Sequence, residues 1–247
     1  MSELKIRETA PFYVLPTQRY DLTTKPPSES MQEDFTFFMS FKVDKIIKTQ
    51  KPCSLMMRPG MHYGLCYQQD PQAINFEYWF EKDGTPEFGF ATINIHSEYP
   101  MHDLHNIWFC IVKHNVKGKT FTLSVYNEDG NLRTTTSTYD GKLMDYKQTP
   151  YNFGCGNYFK QVDDSHYFFS DYTMYNAGLV ETTQYADEDI QKFIKVNRKS
   201  TDKLVEDSEL NKMVFYFNFN AQNLYKVWDL SDHCNFLMRN MDVFKLY

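Results

Sequence analysis

Apolar and polar residues alternate along much of this chain with the period of a β-strand. In "FTFFMSFKV" Phe35, Phe37, Met39, Phe41 and Val43 fall on one face, with Thr36, Ser40 and Lys42 on the other. "INFEYWF" and "EFGFATINI" predict two more strands on either side of "EKDGTP", whose Asp83-Gly84 pair suits a two-residue hairpin turn. "TFTLSVY" sets Phe121, Leu123 and Val125 inward and runs into the turn "NEDGNL". "IWFCIVKH" is apolar on both faces, which predicts a central strand covered on two sides. A further strand is expected in "HYFFSDYTMYN". Helical spacing occurs in one segment, "QYADEDIQKFIKV". There Asp187, Glu188 and Asp189 crowd the first turn, where they complement the helix dipole, and Ile190, Phe193 and Ile194 form a stripe.

Evenly spaced strands with hairpin turns, and one short helix near residues 186–197, predict an all-β sandwich or jelly roll. The 247 residues suffice for one such domain with a well-buried core. Residues 1–34 carry a short apolar run, "FYVL", and a linker in which Pro26 and Pro27 forbid a central strand; they are expected to pack on the sandwich. Residues 35–247 form the jelly roll itself. Its last strand is expected within 213–241, where Phe215, Phe217 and Phe219 alternate before a polar loop around Asp229, Ser231 and Asn235.

Composition narrows the function. The 18 Tyr and 21 Phe favour pleated, half-buried surfaces and also suit stacking on sugars. A formal net charge of −6 argues against a phosphate backbone as partner, because nucleic acid demands a concentrated basic face. Cys53, Cys66, Cys110, Cys155 and Cys234 are odd in number and include no close pair, so free thiols in a reducing compartment are expected. The N-terminus lacks the apolar run of a secretory signal, and no segment approaches about 18 consecutive apolar residues. The expectation is a soluble chain, cytoplasmic as synthesised and without membrane insertion, which reaches other sites by assembly into a particle or by non-classical export.

Three stretches sharpen the fold class. "HNIWFCIVKHNVKGKTFTLSVYNEDGNL" resembles the laminin-G-like, concanavalin A-like lectin and glucanase family, in which a Trp-led strand precedes one ending in a Tyr-Asn hairpin. Trp108 and "VYNEDG" occupy those places. "FGCGNYFKQVDDSHYFFSDYTMYNAGLVETTQYADEDIQKFI" resembles the family's closing stretch, with Tyr175-Asn176 and Leu179 ahead of an acidic helix, although Ser170 stands where a Gly is usual. "VWDLSDHCNF" is similar to an Asp-x-Ser-Gly-x-x-Asn motif, matched by Asp229, Ser231 and Asn235, with Asp232 in place of the Gly. That motif opens such domains and here closes the chain, which implies a permuted or additional terminal strand. The resemblance implies a concanavalin A-like jelly-roll β-sandwich and non-catalytic carbohydrate binding.

Sugar recognition of this kind needs exposed rings and several hydrogen-bonding side chains. Loops at one end of the sandwich could supply Tyr63 and Tyr67, then His96 and Tyr99, then Asn157, Tyr158 and Asp164. Oxygens of Asp163 and Asp164 could hold calcium. His96, His102 and His105 lie beside Glu98 and Asp103 and carry metal-ligand chemistry, but in a Pro-containing loop their spacing fixes no geometry, and a hydrogen-bonded surface loop is the other reading.

Two enzymatic readings compete. Arg7, "NIH" at Asn94 to His96 and "YFK" at Tyr158 to Lys160 echo jelly-roll polysaccharide lyases, yet Asn94 replaces a Gln, and Val162 and Asp163 stand where a Tyr is needed. A glycoside hydrolase would want paired carboxylates. Glu77 and Glu81 share a strand face about 13 Å apart, too far for the retaining separation and wide for the inverting one. The expected partner is a glycan or glycoconjugate; the alternative is a structural or adhesion subunit of a larger assembly, viral or cellular, that contacts other protein subunits.

Overall fold

The alternation through Phe35 to Val43 does make a strand, and the residues that face inward along it set the plane on which the rest of the molecule packs. The computed structural model describes residues 34–45, 53–58, 63–69, 71–100, 103–144, 152–153, 171–180 and 185–190, together with the strands at 4–6, 12–16, 213–218, 226–228 and 235–239. Two antiparallel sheets face each other. In the seven-stranded sheet, β1 (Leu4–Ile6), β13 (Asp171–Val180), β3 (Phe35–Lys45), β8 (Ile107–Asn115), β9 (Thr120–Tyr126) and β10 (Leu132–Thr138) lie in that order, with β14 (Met213–Asn218) also beside β13. In the nine-stranded sheet the order is β11 (Lys142–Leu143), β6 (Gln72–Lys82), β5 (Tyr63–Gln69), β4 (Cys53–Arg58), β12 (Asn152–Phe153), β2 (Phe12–Pro16), β16 (Asn235–Arg239) and β15 (Lys226–Trp228), with β7 (Thr85–Asn94) on the other flank of β6. The protein is an all-β sandwich.

Period-two positions from both sheets fill the space between them. Phe35, Phe37, Met39, Phe41 and Val43 of β3 meet Trp108, Cys110 and Val112 of β8, Phe121, Leu123 and Val125 of β9, and, from the second sheet, Ile74, Phe76, Tyr78 and Phe80 of β6. Each such side chain contributes roughly 1.5–3 kcal/mol by leaving water. As expected, β8 is covered on both faces: Phe109 and Ile111 point the other way and join Phe38, Tyr126, Val180 and Ile190 in a second cluster. That cluster corrects one expectation. Thr36 and Ser40, placed by pattern on a polar face, are fully buried, and Ser40 Oγ donates to Asn176 Oδ1 at 2.9 Å.

The outer cluster is closed by the segment that the acidic helix signature marked. Residues 187–190 are helical, and Ile190 packs into the cluster. Asp187 does more than face a dipole: it accepts from Ser124 Oγ at 2.5 Å and pairs with Lys113, which also donates to Tyr185 O at 2.7 Å. A second helical turn, α1 (Ile95–Glu98), lies where a loop was expected. Asn94 caps it, its side chain accepting from the backbone N–H groups of His96 and Ser97 at 3.1 and 3.3 Å.

Turn chemistry follows the sequence closely. Asp83 and Gly84 both take positive φ, 51° and 79°, which is the backbone a two-residue hairpin needs between β6 and β7. In the next predicted turn Asn127 Oδ1 accepts from the N–H of Asp129 and of Asn131, and Gly130 takes φ of 84°. The chain end differs from expectation. Instead of one closing strand, Met213–Asn218 joins the first sheet beside β13, whereas Lys226–Trp228 and Asn235–Arg239 form a hairpin in the second sheet beside β2. The strand expected at "HYFFSDYTMYN" is present from Asp171 and runs on through Ala177 and Leu179 to Val180; residues 166–170 lie outside the described residues.

Candidate functional site

The long β6–β7 hairpin presents two different surfaces because its register is fixed by the tight turn. Lys82 pairs with Thr85, Trp79 with Phe88, Glu77 with Phe90 and Asn75 with Thr92. Ala91 and Ile93 of β7 are buried in the core, so Phe88 and Phe90, of opposite parity, face outward. They are the most exposed rings described, at 43% and 57%. Trp79 on β6 continues the surface: its ring centroid lies 5.1 Å from that of Phe88, and Phe88 lies 6.1 Å from Phe90.

What holds this aromatic row in place lies beneath it. Gly89 sits between the two phenylalanines and faces inward onto the ring of Tyr78; a Cβ there would come within 2.4 Å of that ring. The phenol passes under β7 to reach the edge of the opposite sheet, where it meets Ser137 Oγ at 2.6 Å and donates to Thr138 O at 3.2 Å. Burial raises the Tyr78 phenol above its ordinary pKa, with the Ser137 contact acting against that shift. The row is therefore mounted on a strand clamped to both sheets.

Polar groups border the row on β6. Glu77, in register with Phe90, is buried to 7% exposure. Asn75 donates from Nδ2 to Gln68 Oε1 at 3.4 Å, and its Oδ1 has no protein partner. Glu81 lies at the hairpin end opposite Lys142. Glu77 and Glu81 do share a strand face as expected, with Trp79 between them in sequence, and four residues of extended chain separate them by about 13 Å. The surface offers two exposed apolar rings and one exposed carboxylate, Glu81, while Asn75 and Glu77 on the same strand face are buried.

The loop-end site expected from sequence is not assembled by the described residues. Tyr67 belongs to β5 and is wholly buried, in register with Ile74 in the inter-sheet core, because Leu65 and Tyr67 take the inward parity of a strand rather than a place in a loop. Tyr99 is also a core ring. It is 3% exposed, packs edge-on against Trp108 at 5.0 Å, and donates its hydroxyl to Val125 O and to Asn131 O. Burial pushes its phenol pKa well up, so it stays neutral. Tyr63 opens β5 opposite Tyr78, a position described by backbone alone. His96 is exposed on α1. Asn157, Tyr158, Asp163 and Asp164 lie outside the described residues.

The described residues of the polar knot after β7 are hydrogen-bonded into the fold, and His102 lies outside the described residues. Asp103 Oδ1 accepts from the N–H of His105 at 2.8 Å, Asp103 O accepts from Trp108 Nε1 at 2.8 Å, and Arg133 pairs with Glu98 at 3.2 Å while lying over the Tyr99 ring. Among the described residues no group of three or more His, Cys, Asp or Glu could hold a metal ion. Cys66 and Cys110 are free and buried. No described helix is long and apolar enough to cross a membrane.

Sequence reasoning missed Trp79, Phe88 and Phe90 as surface residues, although a signal was there. "EFGFATINI" holds two apolar sets of opposite parity, and only one of them can face the core.

No protein-family model matches the chain, and no curated protein matches it. Solved structures do share its architecture. It is similar to the botulinum neurotoxin serotype D binding domain at 11% identity and a TM-score of 0.50, over 78% of this chain and 42% of that one. It is also similar, at 12% identity and a TM-score of 0.47 in each case, to the Ruminococcus gnavus IT-sialidase CBM40 bound to alpha2,3 sialyllactose, over 78% of this chain and 96% of that one, and to the NanB sialidase from Streptococcus pneumoniae, over 78% and 27%. The chain spans less than half the length of the neurotoxin domain, and what it has in common with that domain is the β-sandwich fold.

Proposed function

We propose that this protein is a non-catalytic, lectin-like recognition module that binds glycan on the open face of its second sheet. The observation that carries the reading is the row of Trp79, Phe88 and Phe90, two of whose rings stand exposed on the β6–β7 hairpin. The apolar face of a pyranose stacks on such rings, and the exposed Glu81 at the hairpin end can accept from a hydroxyl. At a coarser level, the chain shares its sandwich fold with part of a domain named for binding, that of the botulinum neurotoxin serotype D. Within the lectin-like sandwiches we assign the chain to the concanavalin A and laminin G type. Trp108 leading β8 and the Asn127 turn after β9 support that placement.

A thermal-shift screen against neutral, sialylated and uronate oligosaccharides tests the proposal, each sugar being offered with calcium and with a chelator because Asp163 and Asp164 are the calcium candidates. A ligand at a hundredfold excess over its Kd adds about 2.7 kcal/mol of apparent stability. The expected outcome is a rise in Tm with at least one sugar class. No shift with any sugar, combined with a stable oligomer in solution, overturns the proposal in favour of an assembly subunit.

A further inference from the structure

We infer that β7 is an interface between two copies of this chain, which join edge to edge in antiparallel register and extend the second sheet across a two-fold axis. The inference concerns the edge of the strand and stands whether or not its outward face takes glycan. β6 has β5 and β11 on one flank and β7 alone on the other, so β7 borders the sheet, and among the described residues no strand pairs with its far side. One hydrogen bond shows which backbone groups face that side. The N–H of Met144, just beyond β11, donates to Trp79 O at 3.1 Å, so Trp79 turns its backbone away from β7. Phe88, its register partner, therefore turns its own backbone away from β6. At period two, the N–H and C=O groups of Phe88, Phe90 and Thr92 all point to the free edge. β10, the border of the first sheet on this flank, meets the Tyr78 hydroxyl through Ser137 and Thr138 but makes no backbone hydrogen bond to β7.

Charge and side-chain pattern select a second copy as the occupant. An open edge that carries exposed rings is a template for another strand unless charge or proline blunts it. Pro86 and Glu87 blunt only the hairpin end, and residues 88–95 hold no charge; residues 134–139 of the neighbouring edge hold none either. The charges at the two ends of this flank are paired within one copy, Lys82 with Asp140 at 3.0 Å and Arg133 with Glu98 at 3.2 Å. A chain of net charge −6 meets its own kind with least repulsion on such a surface. The strand is also complementary to itself. With the axis at Gly89, Phe88 lies opposite the partner's Phe90, and the two residues exchange both backbone hydrogen bonds. The glycines meet as a pair without hydrogen bonds, where Cα atoms approach most closely, at about 4.5 Å. Glu87 then lies opposite the partner's Ala91, and Thr92 N–H reaches the carbonyl of the partner's Pro86, where the missing N–H ends the pairing. The phenylalanines, 43% and 57% exposed in one copy, join those of the other in a single patch of four rings.

Sedimentation velocity of the full chain over a range of concentrations is the test. A monomer–dimer equilibrium is expected, weak because the contact is small, and tightening as salt screens the net charge. Hydrogen exchange should show the amides of Phe88, Phe90 and Thr92 slowing as concentration rises, while those of Gly89 and Ala91, which face β6, do not change. Thr92→Pro removes a donor from the free edge without touching the β6 ladder, and it should weaken the dimer about tenfold. Phe90→Ala should do the same by removing a ring from the patch, whereas Val116→Ser, at the other exposed large apolar side chain described, should leave the dimer unchanged. Circular dichroism and Tm of each variant establish that it folds. A monomer at every concentration overturns the inference, as does a dimer that is indifferent to Thr92→Pro or leaves the three amides exchanging as in the monomer. Species that keep growing beyond two copies overturn the two-fold pairing in favour of an open, head-to-tail contact. A sugar-induced rise in Tm without a dimer removes this inference and leaves glycan recognition standing; a dimer without any sugar shift does the reverse.

Discussion

Gly89 connects the buried core to the exposed site through a single missing Cβ. The Tyr78 ring occupies the space a side chain would need, and its hydroxyl crosses to Ser137 on the other sheet. A methyl group here must push β7 away from Tyr78 or push Tyr78 away from Ser137, and overpacking of this kind costs about 1–3 kcal/mol. Gly89→Ala is therefore expected to lower stability by that amount and to weaken glycan binding as Phe88 and Phe90 shift. The double variant with Tyr78→Phe separates the causes: it removes the Ser137 anchor and the hydroxyl, which would itself lie 2.6 Å from the new Cβ, but leaves the ring carbons at 2.4 Å, so Gly89→Ala should cost less in that background without becoming neutral. If chemical denaturation shows Gly89→Ala to be neutral in the wild-type background, the close approach is not what positions the row.

The same scale explains why Tyr67 and Tyr99 lie in the core and not at a loop-end surface. Tyr67 and Tyr99 are amphipathic, and composition cannot say whether such a ring faces water or the core. Tyr99 satisfies its hydroxyl inside, on Val125 O and Asn131 O, which removes the reason for a tyrosine to be exposed.

Elements with strong periodicity were legible before the fold was known. The strands at Phe35–Lys45, Ile107–Asn115 and Thr120–Tyr126, and the hairpin at Asp83-Gly84, are dictated by local pattern and turn chemistry. Leu132–Thr138 was not legible, since "LRTTTST" has one apolar residue and no hydrophobic alternation. It becomes a strand because β9 supplies partners, with Thr136 meeting Thr122 and Thr134 meeting Ser124 through their hydroxyls at 3.1 and 3.0 Å. The helical turn at 187–190 shows how a local signal acquires a tertiary role. Its acidic residues mark a helix start, yet Asp187 is spent on Lys113 and Ser124 of the sheet below. Both partners of the ion pair are largely shielded, at 20% and 16% exposure, so the contact is worth more than an open surface pair. Asp187→Asn should cost about 1–2 kcal/mol and speed amide exchange at Asp189 and Ile190, whose N–H groups bond to Ala186 O. Unchanged exchange at those two amides would show that Ile190 packing alone holds the turn.

At the scale of the whole molecule, one end of the sandwich is sealed by phenols and an imidazole. His114 is fully buried at the end of β8, stacks on Phe121 at 4.5 Å and shares a hydrogen bond of 2.9 Å with the Tyr139 hydroxyl. Burial first, and then the charges of Tyr78 and Asp34, push the Tyr139 pKa up from 10.0 to about 12. Burial likewise raises Tyr78, and it raises Tyr99 and Tyr126 further. For all four the folded state holds its proton more tightly than the unfolded chain, so between the two pKa values the unfolded state binds fewer protons. Stability is then fully present below the unfolded value of 10.0 and is lost as pH rises from there through about 12. Denaturant midpoints should accordingly stay level on the neutral side of that window and fall steeply within it, with phenolate absorbance from these residues appearing together with the loss of circular dichroism. Tyr139→Phe distinguishes this account from general alkaline damage. It should cost about 1–3 kcal/mol at neutral pH by leaving the His114 nitrogen without its partner, and it should also flatten the alkaline fall, because one of the linked protons is gone. A variant that loses stability equally at every pH would show that Tyr139 acts by packing alone.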